Sequence, residues 1–173
     1  MKVVLFTILF FVSCCLTVTA QTIFDSSKLT EDGRKAFQKL LSAGQFTVGP
    51  AGYGGYSQEE NALHILLKEK YAEEACLSLA ADANYKGELY ALLGLRFLKS
   101  EAYVNALEKY KLRPTPPERV VWGKKVGQGG IITMKGCFFM RVKLTEALAE
   151  VEAGSLDKEF ELDGKPPKIL GKA

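Results

Sequence analysis

Apolar positions recur at helical spacing in six stretches of the chain. In the first, Phe37, Leu40 and Leu41 form the repeat. Thr30 stands as N-cap, Glu31 and Asp32 occupy the first turn where the helix dipole favours acids, and Gly44 ends the run, so a helix is expected over Glu31–Ala43. Ser57 followed by Glu60 is a capping box, and Ala62, Leu63, Leu66 and Leu67 make one stripe behind it. Ala72, Ala75, Cys76, Leu79, Ala80 and Ala83 form a third face of small residues. No glycine or proline separates these two runs, which predicts either a break near Lys68–Tyr71 or one bent helix.

The fourth stretch, Lys86–Lys99, is the most apolar. Leu89, Tyr90, Ala91, Leu93, Gly94, Leu95, Phe97 and Leu98 fill about two thirds of the helix circumference, and Glu88, Arg96 and Lys99 share the remainder with Leu92. So wide an arc needs several neighbours to cover it, which makes this the expected central helix. Gly94 lies mid-arc, where a missing side chain lets another helix approach. Tyr103, Ala106, Leu107 and Tyr110 give a fifth helix, stopped by Pro114, Pro116 and Pro117. Leu144, Ala147, Leu148 and Val151 give the last, closed by Gly154.

Between them the pattern changes. Arg119–Trp122, Ile131–Met134 and Cys137–Val142 are rich in β-branched and aromatic residues and are separated by glycines, as expected of short strands. The class is therefore mostly α: a small bundle of helical hairpins, five to six helices, with a short β element near the C-terminus. The glycine-rich run from Gly44 to Tyr56 reads as a mobile surface loop. It has no Gly-Lys-Ser/Thr and follows no apolar strand, so it does not read as a phosphate cradle. Residues 157–173, with Asp163-Gly164 and Pro166-Pro167, are expected to be loosely ordered.

The first twenty residues stand apart. Lys2, the apolar run Val3–Val12 and the small residues of Val18-Thr19-Ala20 make a secretory signal peptide cleaved before Gln21, leaving residues 21–156 as a single helical domain with no transmembrane segment. Phe11-Val12-Ser13-Cys14 offers a second reading of the same residues, since it resembles a bacterial lipobox and would place an acyl anchor on Cys14. Cleavage leaves Cys76 and Cys137, an even pair in an exported chain, for which a disulfide is expected; two separately buried thiols are the alternative. With 23 basic against 20 acidic side chains, the charge carries no footprint for nucleic acid.

Residues 87–95, GELYALLGL, with Met134-Lys135-Gly136-Cys137 and the capping-box helix upstream, resemble a group of uncharacterised exported bacterial proteins. Those carry a Gly-x-Leu-Tyr-Ala-Leu-x-Gly-Leu helix and a downstream Gly-Cys. The resemblance spans roughly residues 57–154 and implies a compact exported helical domain. It implies no activity and carries over no catalytic residue.

The chemistry available is thin. His64 is the single histidine, so a zinc site built on several imidazoles is excluded, and its place beside the Leu63/Leu67 stripe suits a partly buried structural role. Ser57 and His64 would lie about 10 Å apart along a helix, too far for a nucleophile and its base. Adjacent acids such as Glu59-Glu60 and Glu73-Glu74 diverge by about 100° and are expected to be solvated. No catalytic, cofactor or metal site is expected. The function expected is a non-catalytic exported domain, binding an unknown protein partner or structural in the periplasm, at the envelope or outside the cell. Its candidate surface comprises Tyr53, Tyr56 and Trp122. The alternative is a carrier of a small apolar ligand or lipid between helices. A third reading is a hydrolase whose two carboxylates meet in a cleft.

Overall fold

The computed structural model describes residues 24–49, 56–114, 119–121, 124–126, 130–135, 138–157 and 160. The stretch expected to be a signal peptide, with Cys14, lies outside these residues, as do Tyr53, Trp122, Cys137 and the tail beyond Phe160. The described residues form six α-helices: α1 Glu31–Leu41, α2 Gln58–Leu66, α3 Ala72–Asp82, α4 Tyr85–Phe97, α5 Tyr103–Lys111 and α6 Leu144–Ala153. Two antiparallel hairpins lie between α5 and α6. Strand β1 (Arg119–Val121) pairs with β2 (Lys124–Val126), and β3 (Gly130–Lys135) pairs with β4 (Phe138–Lys143) in the register Ile131–Val142 and Thr133–Met140. The fold is mostly α with a short β element near its C-terminal end.

Helix α4 is the hub, in contact with α1, α2, α3, α5 and α6. Every residue from Gly87 to Leu95 is buried, which includes Leu92 and Glu88 from the sector expected to be polar. Asn84 starts the helix: its side chain accepts from the backbone N–H groups of Lys86 and Gly87 and donates to the Ala43 carbonyl, joining the cap to the end of α1. The helix ends through Lys99 at φ 54°, with the Ser100 N–H returning to the Leu95 carbonyl. Two glycines set its packing distances. Gly87 faces the Leu40 carbonyl of α1, and a Cβ on Gly94 would stand 2.8 Å from Cys76 Sγ and 3.2 Å from Leu63.

The chain breaks between α2 and α3, so the single bent helix is not formed. Glu69 in that turn accepts hydrogen bonds from the backbone and the hydroxyl of Thr30, the N-cap of α1, and so ties the turn to the opposite hairpin. Cys76 is fully buried at the α3–α4 contact. Cys137, its expected bridge partner, lies outside the described residues. Packing against Gly94 explains the burial of Cys76, and the absence of water pushes its pKa up to about 12.

One further expectation is corrected. The run after Gly44 is core at its start: Phe46, Thr47 and Val48 are buried, and Tyr90 Oη accepts from the Thr47 N–H while donating to the Thr47 carbonyl, both at 2.8 Å. Past Leu156 the described residues are packed: Asp157 pairs with Arg96 and Phe160 is fully buried, while the rest of 157–173 lies outside the described residues.

Candidate functional site

Helices α3, α4 and α5 line a cleft of about 240 Å³. Helix α3 supplies Leu77, Ala80 and Ala81, and α5 supplies Ala106, Lys109 and Tyr110. Glu88, one turn into α4, lies in its lining with only 1% of its surface exposed, and Arg113, just past α5, meets it there.

Arg113 and Glu88 are in ion-pair contact. The Arg113 guanidinium is the group among the described residues that serves the Glu88 carboxylate. Burial raises the carboxyl to about 7, and the charge of Arg113 works against that rise. Arg113 also lies over the Tyr85 ring at 5.2 Å, while Tyr110 donates to the Tyr85 carbonyl at 3.1 Å, so the acid is fixed from the side of α5. Lys109 lies one turn before Arg113 on the same face. The cleft thus combines a small-residue apolar wall, a buried Glu88–Arg113 ion pair, Lys109, and the polar side chains of Asn105 and Tyr110.

A second cluster of buried polar groups is spent on structure. Glu59 accepts from the Gly44 N–H at 3.3 Å and pairs with Lys39, and Glu60 accepts from the Gly49 N–H at 2.9 Å. These adjacent acids were expected to be solvated; both are buried, and their divergence lets them hold opposite ends of the Gly44–Gly49 segment. Ser57 Oγ caps the Glu60 N–H, as the capping box predicts. His64 is buried with its ring stacked on Phe160 at 4.2 Å, and its Nε2 is 4.0 Å from Glu60 Oε1. Desolvation first, and then the charge of Lys68, pull its pKa down to about 4.

Of the expected partner surface, Tyr56 is half-buried with its ring edge-on to His64, 6.0 Å between centroids, while Tyr53 and Trp122 lie outside the described residues. Sequence reasoning missed Glu88 because it assigned the residue to the polar sector of α4. The signal available was its place one turn from the N-cap of the most apolar helix, where any acid must meet a neighbour. Among the described residues no group of three or more His, Cys, Asp or Glu side chains is arranged to hold a metal ion.

Fold and cleft together define a small, mostly helical domain with an interhelical pocket beside a buried ion pair. No protein-family model matches the chain, and no curated protein or solved structure matches it.

Proposed function

We propose that this chain is an exported, non-catalytic binding module that holds a small molecule in the cleft between α3, α4 and α5. The observation that carries the reading is an open pocket with one wall of alanine and leucine set against a buried Glu88–Arg113 ion pair, with Asn105 and Lys109 in its lining. Export rests on the N-terminal pattern of Lys2, the apolar run and Val18-Thr19-Ala20. No described helix is long and apolar enough to cross a membrane. The described part of the Tyr53/Tyr56/Trp122 surface, Tyr56, packs against His64, which favours the cleft over that surface as the binding element.

The test is a ¹⁵N-¹H correlation spectrum of the mature chain titrated with a mixture of neutral, cationic, anionic and zwitterionic fragments of about six to ten heavy atoms, a size that suits the pocket. Shifts should gather at Leu77, Ala81, Glu88 and Ala106 and disappear in Ala81→Trp, which fills the cleft from an exposed position. Scattered shifts, or shifts that survive in Ala81→Trp, would remove the reading.

A further inference from the structure

Most of the polar lining of the cleft is already engaged. The Glu88 oxygens are buried behind Arg113, and the two opposite charges cancel, so the pair presents no net charge to a ligand. Tyr110 donates its hydroxyl proton to the Tyr85 carbonyl. What is left stands on one wall. Asn105 and Lys109 lie one turn apart on α5, so their side chains leave the same face of the helix, and neither side chain makes a hydrogen bond or ion pair with another described residue. Both are exposed and reach solvent at the mouth of the cleft. Lys109 is thus the charge of the lining that has no counter-charge.

The wall across from them is of another kind. Leu77, Ala80 and Ala81 of α3, continued by Ala106 of α5, make an apolar surface with no side-chain donor or acceptor. A ligand with an anionic end and an apolar body matches both walls: the anion accepts a charge-assisted bond from the ammonium and a second bond from the Asn105 amide, and the body covers the alanines. A cation would meet Lys109 and find no free carboxylate. A sugar-like body would set its hydroxyls against a wall that offers them nothing. The volume of about 240 Å³ exceeds the roughly 150 Å³ of an engineered cavity that takes benzene, so a branched aliphatic or phenyl group fits.

Resting on the reading of the cleft as a binding site, we infer that it takes a small apolar monocarboxylate, a short branched-chain or aryl-substituted acid. Its carboxylate accepts from Lys109 Nζ and Asn105 Nδ2 at the mouth, and its body lies on the α3 wall.

The probes are 4-methylvalerate, its uncharged amide, and acetate, which keeps the charge and lacks the body. They are titrated into the mature chain at about pH 7.5, where both acids are ionised. The 4-methylvalerate should give saturable shifts at the amides of Ala81, Asn105, Ala106 and Lys109, the amide should bind about threefold to tenfold more weakly, and acetate should not saturate. Lys109→Met, on an exposed side chain, should bring the acid down to the affinity of the amide and leave the amide unchanged, whereas Lys109→Arg should keep the preference. Equal binding of acid and amide by the wild-type chain overturns the inference, as does a preference for the acid that survives Lys109→Met. Acetate binding as tightly as 4-methylvalerate overturns it too, since an anion on a surface lysine needs no cleft. When other fragments bind in the cleft but 4-methylvalerate does not, this inference fails while the cleft remains a binding site; when none binds, both fail.

Discussion

Glu88 and His64 are both buried ionisable side chains in contact with an opposite or potential opposite charge, and their burial shifts them in opposite directions. His64 falls from 6.5 to about 4, so between those values the unfolded chain binds more protons than the folded one and stability rises with pH. Glu88 rises from 4.5 to about 7, so there the folded chain binds more protons and stability falls with pH. Each contribution has a slope of at most about 1.4 kcal/mol per pH unit. From pH 4.5 to 6.5 the two oppose one another, and their sum is nearly flat. Denaturation midpoints measured across pH 4 to 7 should therefore show the slopes only when separated. Glu88→Gln should leave stability climbing up to pH 6.5, and His64→Phe should leave it declining from pH 4.5 to 7. Parallel profiles for the two variants would contradict the opposed shifts. Neither burial was legible in the sequence. Glu88 depends on Arg113, twenty-five positions away, and His64 on Phe160, which stands alone among the charges of DKEFELD.

At the scale of elements the sequence was far more informative, since helices are fixed by periodicity and caps that lie within ten residues. The six helices begin within a few residues of their expected starts, and the caps at Thr30 and Ser57 accept the N–H groups their spacing predicts. What periodicity does not encode is which glycine is a flexible joint and which a packing surface. Gly94 was legible as a close approach because it sits inside an apolar arc; Gly87, at the edge of its helix, was not. The two differ in what they meet. Alanine at Gly94 presses on the Cys76 sulfur and a Leu63 methyl, side-chain atoms that can shift, whereas alanine at Gly87 presses on the Leu40 carbonyl, backbone held within α1. Gly94→Ala should cost about 1–3 kcal/mol, and Cys76→Ala in that background should return most of it. Gly87→Ala should cost more, with no side-chain substitution restoring it. Urea denaturation of the four proteins checks the order, and equal costs for the two glycine variants would show that α1 and α4 can separate freely.

At the scale of the whole molecule, the chain beyond α6 acts as a clasp over the start of the bundle. Gly154, at φ 69°, turns the chain out of α6; Asp157 then takes the Arg96 Nε and Nη2 at 3.1 and 3.2 Å, and Phe160 is set between His64 of α2 and Phe97 of α4. Residues nearly a hundred positions apart thus share one aromatic stack, and the desolvation of His64 depends on that contact. Phe160→Ala should cost about 3–5 kcal/mol as a large aromatic truncation in the core. It should also admit water to the imidazole and let the pKa of His64 return from about 4 toward 6.5. The chain has one histidine, so its imidazole proton resonances report this site without ambiguity. Titration of those resonances separates two arrangements that stability alone does not. A folded variant whose histidine titrates well above the wild-type value means that the clasp is what keeps water from the α2–α4 seam. A folded variant whose histidine stays near 4 means that α2, Tyr56 and the Gly44–Gly49 segment bury it unaided, and that the clasp adds stability without closing the core.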